Sequence, residues 1–224
     1  NLNPASDIYF SQGPMDVLDH SCSKMGFGGK MCVDGTQKFE EETDENFLKN
    51  VPSNFNLDLK SSFPEIGDVN HSLLKKNIPA LLVSIKKDRR RHVHELHQKI
   101  CSLKEIESVK MILYVEHTVN PQDLPTALWR FCNNLDPKRD HSIIQRPSLL
   151  QPTKNFACMG LDGTIKTKEH DGFERDWPNI IVSDMNTIRS VDEKWERLGL
   201  GPFISSPSLK FQDQLYGAEA VVQV

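Results

Sequence analysis

Two short and almost continuously apolar runs constrain this chain more than anything else in it. IPALLVSI (78–85) and VKMILYVE (109–116) have strand length and β-branched content, and they lack the polar–apolar alternation of a strand with one wet face. Strands of that kind are buried on both faces, which requires a layer of helices above and below the sheet. The segments that follow supply those layers. DRRRHVHELHQKICSLKEI places Val93, Leu96, Ile100 and Leu103 on one helical stripe. DLPTALWRFCNNL does the same with Leu124, Leu128, Phe131 and Leu135, and Pro125 falls in its first turn, where a missing N–H is tolerated. HSIIQ (141–145) reads as a third strand. This order predicts an α/β fold: a parallel or mixed sheet with helices on both faces, in three α/β/α layers.

One more helix is expected late in the chain. NTIRSVDEKWERLGLGP starts at a capping residue, Asn186, aligns Ile188, Val191, Trp195 and Leu198 on a stripe, and stops at Gly199, Gly201 and Pro202. A lone amphipathic helix must bury that stripe against its own sheet or against another protomer, so the stripe is the expected association surface.

Charge and composition remove several function classes. Lys and Arg number 27 against 31 acidic residues, with an isoelectric point near 6.1, so no global positive field gathers nucleic acid. No apolar run reaches the roughly 18 to 20 residues of a membrane span. Five scattered cysteines, an odd number, make no disulfide framework and fit a reducing cytoplasm. The chain opens on NLNPASD, without Met, as if partway through a longer protein.

The sequence also repeats itself. NLNPASD (1–7) returns as NLDPKRD (134–140), Gln12 and Pro14 as Gln145 and Pro147, and KMCVDGTQK (30–38) as CMGLDGTIK (158–166). The second copy lacks the glycine-rich middle of the first. Residues 1–38 therefore read as the tail of a first module, 39–77 (with its EEETDE run) as linker, 78–200 as a second, diverged module, and 201–224 as a C-terminal tail. A recurring Asp-Gly-Thr suits a turn in which Asp bonds backbone amides and Gly takes a positive φ, so Asp34, Thr36, Lys38 and their counterparts Asp162, Thr164 and Lys166 are expected to build the module.

LWRFCNNLDPKRD, MGLDGTIK, DGFERDWP and VDEKWERLGL, in that order, resemble the C-terminal domain of UbiD-type carboxy-lyases, the 3-polyprenyl-4-hydroxybenzoate decarboxylases and their relatives. The opening stretch is similar to the family's D-x-L-D-H and G-G-K-M segments, with Gly35 where alanine is usual; Arg175 and Trp177 fall in the family's G-x-x-R-x-W-P turn. The resemblance implies a parent decarboxylase of ubiquinone or menaquinone biosynthesis. Its prenylated FMN, divalent metal, catalytic arginine and glutamates would sit in a split-barrel domain N-terminal to this chain. No such glutamate–arginine set can be placed here, so no catalytic, cofactor-binding or metal residue is carried over. The implied role is assembly and one wall of the pocket, through the loop of Asp19, His20, Gly28, Gly29 and Lys30. Implied partners are the upstream flavin-binding domain and further copies of the same protein. A pure oligomerisation or partner-binding module and a small-ligand-binding α/β domain are the alternatives.

Several residues invite other chemistry. Asp16, Asp19 and His20 could ligate a metal, but GPMDVLDH also reads as a proline-started helical turn with Met15 and Leu18 inward. GFGGK (26–30) matches neither phosphate-loop spacing and reads as a tight turn. Cys22 and Cys32 read as small buried hydrophobes. HVHELH misses the H-E-x-x-H spacing by one, and with Arg89, Arg90 and Arg91 beside it the expectation is a solvated helix face; the KKDRRRH run could meet an anion or an acidic surface.

Overall fold

The computed structural model describes residues 2–39, 57–151, 153–178, 180–210 and 221–222. They fall into two compact units, Asn1–Arg175 and Asp176–Val224. The first is built on a five-stranded mixed sheet in the order β3-β4-β5-β7-β6: β3 Ile66–Asn70, β4 Ala80–Ile85, β5 Met111–Glu116, β6 His141–Pro147 and β7 Asn155–Asp162. The two apolar runs are its centre, β4 and β5 pairing in parallel from Ala80 opposite Met111 to Ile85 opposite Glu116. β5 and β7 are also parallel, and β3 and β6 close the edges antiparallel.

Alternation along the central strands sorts the core into two faces. Leu81, Val83, Ile112, Tyr114 and Cys158 pack with Leu59 of α1 (Leu59–Ser62), Leu74 of α2 (Ser72–Lys75) and Val93, Leu96 and Ile100 of α3 (His92–Cys101). Leu82, Leu113, Val115, Met159 and Leu161 face the other way, onto Ala127 and Phe131 of α4 (Leu124–Asn134) and onto Ile8. Each fully buried Leu or Ile contributes about 1.5–3 kcal/mol of transfer free energy, so β4 alone, with Leu81, Leu82, Val83 and Ile85 at 0% exposure, anchors the sheet. α4 begins as its sequence implies, with Asp123 accepting from the Thr126 amide and Pro125 in the first turn.

Ile8 belongs to a separate antiparallel hairpin, β1 (Ile8–Pro14) with β2 (Phe27–Val33), laid beside α5 (Pro137–Asp140) on the α4 face. Four readings change here. The stretch 57–77, expected as linker, supplies α1, α2 and the edge strand β3; its EEETDE run lies outside the described residues. HSIIQ is an antiparallel edge, and the strand parallel to β5 is FACMGLD, where an alternation of small and large residues hid a buried strand inside a turn motif. GPMDVLDH forms turns, not a helix, and Leu18 is 85% exposed, because the residues after β1 must fold back within one hairpin. GFGGK, expected as a tight turn, runs along β2 from Phe27 onward.

The second unit holds α7 (Met185–Asp192), α8 (Trp195–Leu198) and the paired strands β8 (Val182–Ser183) and β9 (Val221–Val222). The single late helix is thus two. The cap is Asp184, whose carboxylate accepts from the Asn186 and Thr187 amides, rather than Asn186. Gly199 closes α8 in the left-handed region, as the sequence predicts. The break spends the stripe unevenly: Ile188 is buried, whereas Trp195 donates to the Gly201 carbonyl at 3.0 Å and stacks edge-on against Phe203.

Candidate functional site

Of the expected pocket-wall residues, Asp19 and His20 lie in the hairpin's connecting loop and Gly28, Gly29 and Lys30 on β2, and the loop is held from behind by the sheet's own module. Arg139 of α5 donates to the Ser21 carbonyl at 2.6 Å, and Arg175 donates to the carbonyls of Asp19 and Cys22 at 3.2 and 2.8 Å. Asp19 accepts from the Ser21 amide and hydroxyl, while His20 Nε2 lies 3.4 Å from Asn134 Oδ1. These side chains are committed to holding a loop shape, and among the described residues Asp16, Asp19 and His20 form no metal-ligating cluster. The Gly28–Gly29 pair has a packing cause. A Cβ on Gly28 would fall 2.2 Å from Cys22 Sγ, and one on Gly29 would fall 2.0 Å from Asp136 Oδ1; the Gly29 amide donates to Asp136 at 3.1 Å. Lys30 is exposed, with its ammonium over Gly13. On the loop's outer side Val17, Leu18, Met25 and Phe27 are exposed by 62, 85, 67 and 43%. Of the two nearby cysteines, Cys22 is buried, its thiol pushed up to about 11 by burial and by Asp19, but Cys32 at the hairpin rim is exposed, against expectation.

The repeat survives at the level of single hydrogen bonds. Asp7 takes the Asn3 amide at 2.8 Å, and Asp140 takes the Asp136 amide at 2.8 Å. Thr36 donates its amide and hydroxyl to Asp34, as Thr164 does to Asp162. Lys38 bridges Asp7 and Asp34 at 3.3 and 2.6 Å; Lys166 bridges Asp140 and Asp162 at 3.6 and 3.3 Å. The first cluster lies near the surface, whereas Thr164 and Lys166 are buried. Burial lifts Asp140 above the usual carboxylate range despite Lys166 and Arg139. For Asp162 burial also works upward, but Lys166, Lys87 and the Thr164 donors hold it below that range. Neither turn glycine has a positive φ, contrary to expectation. Gly163 is required because a Cβ would meet Phe131 at 2.4 Å, while Gly35 faces open space.

The second cluster opens onto a cavity of about 390 Å³ at the carboxyl ends of β4 and β7, whose walls include Lys87, Arg90, Arg91, Arg139, His170 and Asp171. Its floor is Tyr114, His97 and Gly160. Here the expected solvated face of HVHELH fails: His92 and His97 are 1% and 0% exposed, because α3 turns them onto the sheet. His97 Nδ1 lies 3.1 Å from the Tyr114 hydroxyl and Nε2 lies 3.4 Å from the Cys158 carbonyl. Cys101 and Cys158 complete a fully buried cluster whose ligand atoms lie within 4.8 Å of one another, the metal-type grouping found among the described residues. Both ring nitrogens already face a polar group, and Cys101 Sγ is 3.8 and 3.6 Å from the two of them, so it sits over the ring rather than along a lone pair. The arrangement suits a polarised thiol pair better than a metal. A hydrogen bond with Cys158 and then the His97 imidazole, acting against burial, draw the Cys101 thiol down to about 6, while burial pushes Cys158 and Tyr114 up. The i, i+4 spacing of His97 and Cys101 signals a shared helix side; nothing local signals that the side faces Cys158.

Comparison with known proteins places these features. The model of the 3-octaprenyl-4-hydroxybenzoate carboxy-lyase C-terminal domain matches residues 48–160. An uncharacterised protein of Aquifex aeolicus is 33% identical over 154 residues, covering 63% of this chain and 30% of the relative. One of Archaeoglobus fulgidus is 28% identical over 147 residues, covering 62% and 30%. The chain thus spans about 30% of the length of the curated relatives it matches. Among solved structures, vanillic acid decarboxylase of Sedimentibacter hydroxybenzoicus in its closed form aligns with a TM-score of 0.47 at 20% identity, over 64% of this chain and 30% of that one. The UbiD-class enzyme HmfF from Pelotomaculum thermopropionicum, in complex with prFMN, aligns with a TM-score of 0.38 at 20% identity, over 53% and 24%.

Proposed function

Because the chain belongs to the 3-octaprenyl-4-hydroxybenzoate carboxy-lyase C-terminal domain family, we propose that it is the assembly and pocket-wall portion of a UbiD-like aromatic acid decarboxylase. The reaction of the whole protein would be non-oxidative: a prenylated hydroxybenzoate or similar quinone precursor loses CO₂, and a proton takes the place of the carboxylate. A prenylated FMN would supply the electron sink. The residues described here do not fit that cofactor. Of the buried glutamates, Glu116 is closed on Arg130 and Glu107 on Arg146, Ser148 and the Leu149 amide, so neither pair is free to meet a flavin or a substrate. That supports placing the flavin and its metal in another part of a protein that would serve ubiquinone or menaquinone synthesis, and no step is assigned to a residue of this chain.

One observation carries the pocket-wall reading. The stretch from Val17 to Lys30 is tied down by Arg139, Arg175 and Asp136, while its Val17, Leu18, Met25 and Phe27 are exposed and belong to neither core cluster. A fixed back and an apolar front suit a surface that closes on a neighbouring domain. The near-equivalence of the two Asp–Lys–Asp clusters supports a tandem origin in which the first copy, at 1–38, kept this loop and the second lost it.

The test uses two proteins. In the full-length decarboxylase, Leu18→Asp should lower turnover at least tenfold, while the same change in the isolated chain leaves unfolding free energy within about 0.5 kcal/mol. The isolated chain should neither decarboxylate hydroxybenzoates nor bind flavin; stoichiometric flavin binding, or activity, refutes the assignment. Among the described residues no helix is long and apolar enough to cross a membrane. The five free thiols support placement in the reducing cytoplasm.

A further inference from the structure

The family assignment leaves the cavity beside α3 without a role. It lies wholly within the first unit, in a diverged module that has lost the glycine-rich loop. In a chain with a net charge of −4, its lining carries five cations, Lys87, Arg90, Arg91, Arg139 and Lys166, against three carboxylates, Asp140, Asp162 and Asp171. All three carboxylates are already engaged. Lys87 meets Asp171 at 2.9 Å, Arg139 meets Asp140 at 2.7 Å, and Lys166 spans Asp140 and Asp162. Arg90 and Arg91 remain: among the described residues neither has an acidic partner within ion-pair distance.

The backbone points the same way. Arg91 is the N-cap of α3 and sits at φ 58°, a left-handed conformation unfavourable for a residue with a Cβ. Such turns gather N–H groups into anion-binding concavities. No side chain caps the helix, so the first-turn amides of Val93 and His94, which have no intrahelical acceptor, border the cavity with the positive end of the helix dipole. Buried His92 in the wall is engaged on both ring nitrogens, with Glu65 Oε1 3.5 Å from Nε2 and Asp88 Oδ1 3.0 Å from Nδ1, which leaves the two arginines as the unpaired charges.

We propose that this cavity binds a small phosphate monoester, its phosphoryl group held by Arg90, Arg91 and the first turn of α3, and its organic body among the half-buried lining residues His94, His141 and Ser142. Two guanidinium forks and two amides offer more donors than the two oxygens of a carboxylate can accept, whereas a phosphoryl dianion presents three. The volume suits a small metabolite. The base of the cavity is closed by packing: the His97 ring lies over Gly160, where a Cβ would fall 2.7 Å from it.

The probe is phenyl phosphate, with benzoate and phenol as controls, titrated into the whole chain and followed by backbone amide NMR. Phenyl phosphate should saturate in the sub-millimolar range and shift the amides of Val93, His94 and Gly160, with benzoate at least tenfold weaker and phenol unbound. Arg90→Glu/Arg91→Glu should weaken phenyl phosphate at least tenfold with an unchanged amide spectrum elsewhere, since both side chains are exposed. Arg90→Lys/Arg91→Lys, which keeps charge but loses the fork, should fall in between. No saturation below about 10 mM, equal binding of benzoate, or undiminished binding by the glutamate variant overturns the proposal; none of these bears on the decarboxylase assignment, which rests on the family match, or on the pocket-wall reading, which rests on the hairpin.

Discussion

His97 shows how little of a residue's role is written beside it. In HVHELH it looks like one of three histidines on a wet helix face, yet it is fully buried against Tyr114, Cys101 and Cys158. The consequence is testable through Cys101. Its thiol is held near 6 in the folded protein against about 9 for a free thiol, so the charged form stabilises the fold. That contribution is complete above about pH 9 and is lost as pH falls through 6. Cys158, shifted upward, stays a thiol in the folded chain across the same window, and in the unfolded chain it ionises only towards the top of it. Urea unfolding between pH 5.5 and 9 should therefore show stability rising with pH more steeply in the native chain than in Cys101→Ala. Parallel profiles would mean that no thiolate forms. Gly163 and Gly35 make the same point, for one repeated letter is required by Phe131 and the other by nothing within 4 Å.

At the scale of elements, periodicity was informative where an element carried its own core stripe. β4, β5, α3 and α4 stand within about two residues of where apolar spacing puts them. It failed where neighbours decide: β3 pairs only through β4, β7 mixes Gly160 and Ala157 with Met159 and Leu161, and the late helix breaks after Asp192. The hairpin lies between these cases. Its strands were hidden by glycines required by close packing, Gly28 against Cys22 and Gly29 against the start of α5. Gly29→Ala should push Asp136 and Lys138 away and cost about 1–3 kcal/mol in denaturant unfolding, whereas Gly35→Ala should be neutral within about 0.5 kcal/mol. Equal effects at the two positions would show that the hairpin is not packed as described.

For the whole molecule, the remaining question is association. Val191 and Leu198 stay 41 and 53% exposed, with Leu200, Phe203 and Ile204 exposed nearby in sequence, while Ile188 and Trp195 are engaged locally. If the second unit joins copies of this protein, light scattering on the chain should give a mass above the monomer, and Leu198→Asp should return it to the monomer; an unchanged monomer in both removes the association reading. By itself the sequence determined the α/β class, the central strands and their helices, the tandem Asp–Lys–Asp turns and the family, because each is carried by spacing within a short segment. Tertiary structure alone decided the hairpin's seat on α5, the edge strands, the buried His97–Cys101–Cys158 group and the cationic cavity. Each of those depends on which side chains meet across distant segments, and burial, desolvation and charge pairing act on that meeting rather than on any local pattern.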